Sequence, residues 1–273
     1  MQGAGNDYVF LDEFQHALPP DLPAFAKSVS DRNFGVGSDG LICLAKPTAD
    51  GDVRMLMYNA DGSSGAMCGN GVRCIALWMM LQNRCGDSCR VETVDRTVTV
   101  NAKDLDRANQ RGHLQVDMGA PAFDPSTAQS EESISFGPDS GLPQLDYRFT
   151  RVSMGNPHAV IFVDRLNDAL VCDAGRLIEQ HKTFRDRTNV EWVVVNGPTE
   201  LTVRVWERGS GETLACGSGA CAAVVAAVLR QHCPADQPVT VHMPGGDLTI
   251  QWSPNRSVLM TGPAQVSFTG ELP

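Results

Sequence analysis

Two cysteines of this chain stand in matching surroundings. Cys68 follows Tyr58 by ten positions, Cys216 follows Trp206 by ten, and each cysteine is followed by Gly-x-Gly and a long apolar segment. A cysteine just ahead of a helix lies near free backbone N–H groups and the positive end of the helix dipole, and both favour the thiolate. The pattern therefore predicts two activated thiols, each at the start of a buried helix.

The residues after each cysteine add a second property. Gly69 and Asn70 follow the first thiol, and Gly217 and Ser218 follow the second. Backbone amides at a helix N-terminus bind anions such as carboxylates, and glycines let the anion approach closely. Two thiols on either side of one carbon can remove a proton from one face and donate a proton to the other. We therefore expect a site that inverts a carbon centre.

Cysteines also have less specific roles. A free cysteine is often a small buried core residue, and we expect this of Cys43, Cys74, Cys172 and Cys221. A thiol-redox or metal-binding protein that uses the two matched cysteines is the alternative from another class. The sequence contains no Cys-x-x-Cys pair, which argues against a structural zinc site. We therefore expect no metal.

Length and charge limit the class of protein further. The chain of 273 residues is long enough for one large domain or two ordinary ones, and its net charge of −10 argues against nucleic acid or an anionic membrane as partner. No apolar run approaches the length of a membrane span, and no charged segment followed by an apolar one opens the chain. The nine cysteines, an odd number, favour reduced thiols in the cytoplasm.

The second half of the chain repeats landmarks of the first. Three pairs recur in the same order at offsets of 148 to 155 residues, namely Asn6 and Asn156, Arg32 and Arg187, and Cys68 and Cys216. Each half also has many short strand-like segments and one helix that is apolar on nearly every side, which belongs inside a core. The predicted fold class is α/β of the α+β type. It has two homologous lobes, each a strand-rich, barrel-like sheet wrapped around one central apolar helix.

We place the boundary between the lobes after residue 115. Residues 1–115 form the N-terminal lobe and residues 116–262 the C-terminal lobe, and a strand at about 263–273 is expected to return to the first lobe. The segment 120–145 is rich in Pro, Ser, Gly and acidic residues, which is typical of a connector with little regular structure. We expect the lobes to meet face to face, with the helix N-termini lining a cleft.

Several motifs, in order over essentially the whole chain, resemble those of diaminopimelate epimerases. They are Gly-Ala-Gly-Asn-Asp from Gly3, Met-Cys-Gly-Asn-Gly-Val-Arg-Cys from Met67, Met-Gly-Asn-Pro-His from Met154, Glu-Arg-Gly-Ser-Gly-Glu-Thr from Glu207, Ala-Cys-Gly-Ser-Gly-Ala-Cys from Ala215 and Met-Pro-Gly-Gly from Met243. The resemblance implies an isomerase that interconverts LL- and meso-2,6-diaminopimelate on the route to lysine and peptidoglycan. It also implies the two-lobed fold and a homodimer.

The resemblance assigns roles to individual residues. It implies that Cys68 and Cys216 are the catalytic thiol pair and that His158 and Glu207 lie beside the thiols and help set their protonation, Glu207 also contacting substrate. The residues implied to hold the reacting α-carboxylate are Gly69, Asn70, Gly217 and Ser218. Those implied to read the distal amino acid end of the substrate are Asn6, Asn59, Asn156, Asn189 and Arg208. The Arg208 guanidinium suits a carboxylate, which it can bind through two hydrogen bonds.

No cofactor is expected. The chain has four lysines, and none lies in a motif that could form a Schiff base with pyridoxal phosphate. A proline or hydroxyproline racemase of the same fold is the nearest alternative, and a catalytically inactive relative is another. The sequence departs from the family at Gly40, where many members have Gln, and at Met1, which lies several residues into the usual first strand. Phe268 stands where some members have a tyrosine at the dimer interface.

Overall fold

The computed structural model describes residues 1–65, 67–124, 131–142, 144–254 and 256–272. The chain forms two compact units. Unit 1 comprises Met1–Asp117 together with Thr261–Pro273, and unit 2 comprises Met118–Met260. Within the described ranges, no helix is long and apolar enough to cross a membrane.

Unit 1 is made of short strands and two helices. Its elements are β1 (Gln2–Gly3), β2 (Asn6–Asp7), β3 (Val9–Asp12), α1 (Leu22–Ser30), β4 (Gly40–Ala45), β5 (Val53–Asn59), β6 (Ser64–Gly65), α2 (Gly69–Leu81), β7 (Ser88–Glu92), β8 (Thr97–Asp106) and β9 (Arg111–Asp117). In β9 the buried residues Gly112, Leu114 and Val116 alternate with more exposed ones, as the period of a strand covered on one face requires. Helix α2 packs against β1, β7, β8 and β9. Its apolar side chains therefore form the centre of this unit's core.

Arg73 is a charged residue inside this apolar helix. Its side chain is fully buried, yet its guanidinium donates to Asn70 Oδ1 at 2.8 Å and to the carbonyl of Pro263 at 3.2 Å. These hydrogen bonds offset the cost of taking the charge out of water. Arg73 thus ties α2 to the chain segment that returns to unit 1 after unit 2.

Unit 2 repeats the plan. Its elements are β10 (Glu132–Ser135), β11 (Asp146–Ser153), β12 (Pro157–Phe162), α3 (Gly175–Glu179), β13 (Asn189–Gly197), β14 (Glu200–Glu207), β15 (Gly211–Thr213), α4 (Gly217–Leu229), β16 (Pro238–Met243) and β17 (Gly246–Trp252). The last strand, β18 (Val258–Gln265), contains the boundary between the units. Helix α4 packs against β11, β12, β13, β14, β16 and β17. Small residues, chiefly alanine and valine, line every side of α4 and let these strands approach it closely.

The strand pairings of the two units correspond. β3 and β4 are parallel, as are β12 and β13, and each pair is followed by an antiparallel partner, β5 or β14. A parallel pairing to β7 or β16 and an antiparallel pairing to β8 or β17 come next in both units. The fold class predicted from the repeat, a strand-rich sheet around one apolar helix in each lobe, is confirmed.

Two expectations about chain segments can be compared with the structure. Within its described residues the segment 120–145 has little regular structure, as expected, namely β10 and a 3₁₀ turn at Pro138–Ser140, while residues 125–130 and 143 lie outside the described residues. The side chain of Ile134 in β10 is buried against Tyr147 and Phe149. The terminal strand covers Val258–Gln265 rather than about 263–273.

A buried carboxylate fixes the loop between β4 and β5. Glu92, at the end of β7, accepts hydrogen bonds from the backbone N–H groups of Thr48, Ala49 and Gly51 at 2.8–2.9 Å. These bonds favour the charged form and lower the pKa of Glu92 from 4.5 to about 2. The carboxylate therefore replaces the backbone partners that this loop lacks.

This arrangement predicts a stability that depends on pH. Because the pKa of Glu92 is lower in the folded than in the unfolded chain, its stabilisation is fully present above about pH 4.5 and is lost as the pH falls towards about 2. In urea unfolding, Glu92→Gln should lower the free energy of unfolding at pH 6, and the difference from the parent protein should shrink at pH 3. Glu131→Gln, an exposed acid, serves as the control. A difference that stays constant with pH would contradict the assignment.

Candidate active site

The first thiol lies at the start of α2. Cys68 is the N-cap residue of this helix, with extended backbone angles, and its sulfur accepts from the backbone N–H of Gly71 at 3.4 Å. The helix thus begins at Gly69, ahead of the apolar run that predicted it. Gly71 lies so close to Ile42 that an added Cβ would come within 2.4 Å of Ile42 Cδ1. A larger residue at this position would have to displace the end of the Ile42 side chain.

Polar side chains from β2, from the position between β2 and β3, and from α2 lie around this sulfur. The Cys68 thiol contacts Asn6 Oδ1 at 3.3 Å, and Asn70 Nδ2 contacts the same oxygen at 3.5 Å. The hydroxyl of Tyr8 also hydrogen-bonds to Cys68, and burial, followed by the charge of Cys68, raises the pKa of Tyr8. Asn6 is held from its other side by Asp39, whose Oδ2 accepts from Asn6 Nδ2 at 2.5 Å. We call this group of residues, all in unit 1, the Cys68 site.

The second thiol occupies the corresponding place in unit 2. Cys216 is the N-cap residue of α4, is 6% exposed, and lies 3.5 Å from Ser218 Oγ. Glu207, at the end of β14, hydrogen-bonds to Cys216 and to Thr213. Burial, then the negative charges of Glu207 and Glu191, raise the pKa of Cys216 well above its ordinary value. This thiol therefore holds its proton strongly.

Four further polar side chains of unit 2 form a hydrogen-bonded series that leads to Cys216. His158 Nδ1 lies 2.7 Å from Glu191 Oε1, and both side chains are fully buried. His158 Nε2 lies 3.0 Å from Asn156 Oδ1, and Asn156 Nδ2 donates to Ser218 Oγ at 3.3 Å. We call this series of side chains, together with Cys216 and Glu207, the Cys216 site.

The structure brings most of the predicted residues to these two sites. Gly69 and Gly217 are the first residues of α2 and α4, next to the thiols. Asn189 and Arg208 contact each other instead, because Arg208 N–H donates to Asn189 Oδ1 at 2.8 Å, and the Arg208 side chain donates to the carbonyl of Asp186. Asn59 donates to Ser63 at 2.9 Å. The substrate-binding roles of these residues stay predictions.

Two residues beside the thiols escaped the sequence reasoning. Glu191 is an acid within the otherwise apolar strand Val190–Val195, which is a signal that the sequence itself carries. Tyr8 occupies the position in its half that His158 occupies 150 residues later, since each follows a Gly-Asn-x sequence. The repeat could therefore have identified both.

Gly40, the departure from the family pattern, is buried at the start of β4. A Cβ at this position would lie 2.2 Å from the carbonyl oxygen of Tyr58 and 3.1 Å from Tyr8 Cε1. The backbone around Gly40 has therefore closed over the space that a glutamine side chain would need.

Comparison with solved structures identifies the fold of this chain. The fold matches a PhzF-family phenazine biosynthesis protein from Bacillus anthracis with a TM-score of 0.71 at 14% identity, over 98% of this chain and 93% of that one. It also matches a hydroxyproline epimerase from Agrobacterium vitis with a TM-score of 0.65 at 12% identity, over 92% of this chain and 86% of that one. At such identities these matches show a shared fold, the one in which that epimerase is built.

Sequence comparison narrows the class to one family. The diaminopimelate epimerase family model matches residues 1–123 and 150–267. The diaminopimelate epimerase of Desulfitobacterium hafniense is 44% identical over 279 residues, covering 100% of this chain and 96% of that protein. This chain belongs to the diaminopimelate epimerase family, and it is an isomerase.

The raised pKa of Cys216 leads to a prediction. Glu207→Gln removes a negative charge beside the thiolate, so the pKa of Cys216 should fall. Iodoacetamide alkylation of Cys216, followed by peptide mass spectrometry between pH 6 and 11, should then reach half of its maximal rate at a lower pH than in the parent protein.

Glu200→Gln is the matched control for this experiment. Glu200 lies on the same strand, β14, but its side chain is 54% exposed and pairs with His242. It removes the same charge from the surface and should leave the alkylation profile unchanged. An unchanged profile in Glu207→Gln would show that the carboxylate does not act on this sulfur.

Proposed function

We propose that this protein interconverts LL- and meso-2,6-diaminopimelate, a step that supplies lysine and peptidoglycan precursors, by a two-cysteine mechanism without a cofactor. The observation that carries the proposal is the paired placement of Cys68 and Cys216, each the N-cap residue of an apolar helix that begins with a glycine. The names of the relatives at 44% identity support the substrate.

The chemistry of the two sites suggests how the proton moves. A thiolate takes the α-proton and becomes a thiol, and the thiol of the other cysteine gives its proton to the opposite face of the α-carbon and becomes a thiolate. The electron pair left on the α-carbon spreads into the carboxylate, which we propose is held by the free N–H groups at the helix starts. No net proton is gained or lost, and the reverse reaction uses the same groups with exchanged roles.

The surroundings of the thiols suggest which cysteine holds the proton at rest. Burial and the carboxylates of Glu207 and Glu191 raise the pKa of Cys216, so Cys216 is the thiol of the free enzyme. Cys68 accepts hydrogen bonds from Gly71 N–H and from the Tyr8 hydroxyl, which favour a thiolate, whereas its own S–H, when present, donates to Asn6 Oδ1 at 3.3 Å. We propose that Cys68 is the base in the first turnover of the free enzyme.

The other implied residues complete the proposal. Asn70 and Ser218 would contact the reacting α-carboxylate. Asn6, Asn59, Asn156, Asn189 and Arg208 would contact the distal amino acid end of the substrate. His158 and Glu207 would set the protonation of the thiols, and Glu207 has a contact to Cys216 that fits this role.

The test is incorporation of solvent deuterium into the α-position of diaminopimelate. The parent protein should exchange and epimerise the substrate, and Cys68→Ala and Cys216→Ala should each lower kcat by about a hundredfold or more, because each variant lacks one acid–base group. Cys172→Ala, which removes a half-buried thiol that contacts Glu212, is the control and should keep its activity. Near-normal turnover in either of the first two variants would exclude the mechanism, and turnover of proline or hydroxyproline alone would exclude the substrate.

We further propose a cytoplasmic homodimer. All nine cysteines are free thiols, which fits a reducing compartment. The Phe268 side chain is 68% exposed, and an exposed aromatic residue is typical of a contact surface. Light scattering should give twice the mass of the chain, and Phe268→Ser should raise the dissociation constant of the dimer. A monomer at micromolar concentration in the parent protein would contradict this.

A further inference from the structure

Glu191 is a buried acid whose charge acts on Cys216 in the proposed mechanism, but whose contact with His158 has no task there. It lies in β13 with 0% exposure, and within the described residues its Oε2 has no hydrogen-bond partner. A carboxylate out of water is costly unless its oxygens are paired. Its other oxygen, Oε1, lies 2.7 Å from His158 Nδ1. Only one of the two carboxylate oxygens is therefore hydrogen-bonded, and packing alone does not explain an acid at this position.

The first half of the chain shows that the fold does not need an acid at this place. In β4, the strand that corresponds to β13, the matching residue is Ile42. A Cβ built on Gly71 would lie 2.4 Å from Ile42 Cδ1, and one built on Gly219 would lie 2.9 Å from Glu191 Oε1. Each of these glycines lies three residues after its cysteine. In unit 1 a hydrocarbon side chain thus fills the same position against the same turn of the helix. The fold does not need the acid of unit 2, which points to a functional role for Glu191.

An unbroken series of polar contacts runs from Glu191 to the thiol of Cys216. The contacts are Glu191 Oε1 to His158 Nδ1 at 2.7 Å, His158 Nε2 to Asn156 Oδ1 at 3.0 Å, Asn156 Nδ2 to Ser218 Oγ at 3.3 Å and Ser218 Oγ to Cys216 Sγ at 3.5 Å. Every member lies in unit 2. The buried acid can therefore influence the reacting sulfur without touching the substrate.

The direction of these hydrogen bonds follows from the chemistry of each group. Both ring nitrogens of His158 face oxygens that can accept, so both hydrogen bonds form together only when each nitrogen carries a proton. Asn156 accepts one of these protons at Oδ1 and donates from Nδ2, which leaves Ser218 Oγ as an acceptor. Ser218 can then direct its own hydrogen to the sulfur. If Nε2 lost its proton, the amide of Asn156 would turn over, and Ser218 would donate to Asn156 instead.

We propose that Glu191 is a positioning residue that keeps the Ser218 hydroxyl directed at the Cys216 sulfur by holding His158 with a proton on each ring nitrogen. The inference rests on the proposed function, in which Cys216 becomes a thiolate whenever it gives its proton to the substrate. A hydroxyl that donates to this sulfur stabilises the thiolate. The titratable groups that face Glu191 are His158 on β12, Glu207 on β14 and Cys216 at the start of α4.

The first test is the activity of Glu191→Gln. The amide keeps the shape of the side chain but removes the charge that balances a doubly protonated His158. We expect kcat/KM to fall by about tenfold to a hundredfold, the usual loss when a group that orients a reacting residue is removed. The loss should be equal for the LL and meso substrates, since the equilibrium between them is fixed. Glu191→Ile, which introduces the side chain that the first half uses, should show the same loss even if the glutamine variant folds poorly.

A double-mutant cycle tests whether Glu191 acts through Ser218. Ser218→Ala removes the last link, so adding Glu191→Gln to it should lower kcat/KM by less than about threefold more, well short of the product of the two single losses. Glu200→Gln is the matched control, because it breaks an exposed Glu–His pair on β14 and should leave kcat/KM within about twofold of the parent value. Independent, multiplicative losses would overturn the proposed series of contacts.

A readout on the free protein separates this inference from the proposed function. The ¹⁵N NMR signals of the His158 ring, assigned with His158→Asn, should show protons on both nitrogens in the parent protein and on one nitrogen in Glu191→Gln. An unchanged ring signature, or an unchanged kcat/KM in Glu191→Gln, would overturn the role of Glu191. If the parent protein failed to epimerise diaminopimelate, the proposed function would fall, while the ring signals would still decide whether Glu191 sets the protonation of His158.

Discussion

The free N–H groups at the start of a helix are the feature on which the chemistry of both units depends. In an apolar core such groups need a partner, and here the partner is a cysteine at the N-cap position, with the Gly71 N–H 3.4 Å from the Cys68 sulfur. The apolar helix places this end at a polar site because strands cover its other sides. Gly71 and Gly219 leave room in this first turn, since a Cβ at either position would press on a side chain of the neighbouring strand.

The same scaffold surrounds its two thiols with different charges. Corresponding positions, given with the first unit first, hold Tyr8 and His158, Ile42 and Glu191, and Asn59 and Glu207. The first member of each pair is neutral, whereas the second members include two acids and a histidine. The two sulfurs thus occupy corresponding positions in the repeat, while three corresponding positions near the helix starts carry charged or ionisable groups in unit 2 and other side chains in unit 1.

The sequence indicates the fold and the thiols well because their signals are local. A cysteine, two glycines and an apolar run lie within one segment, and their recurrence about 150 residues later identifies the duplication. Strand β10 was missed because it depends on distant partners, such as Arg151, which pairs with Glu132 at 2.8 Å. The sequence shows Glu191 as an acid in an apolar strand, but the contact on which its proposed role rests depends on the register that sets β13 beside β12. Contacts between segments that are distant in sequence leave no signal in the local composition.

The hydrogen bond from Arg73 to the carbonyl of Pro263 has a consequence for biosynthesis. Unit 1 is interrupted in sequence by the whole of unit 2, so the partner that secures the Cys68 helix is synthesised only after unit 2. Unit 2 is a continuous segment and can fold while synthesis proceeds, since domains generally fold as units. Until Pro263 is synthesised, the bond from Arg73 to its carbonyl cannot form, although Asn70 within α2 already accepts from the same guanidinium. Of the two helix-capping thiols, Cys68 is therefore synthesised first and reaches its final surroundings last.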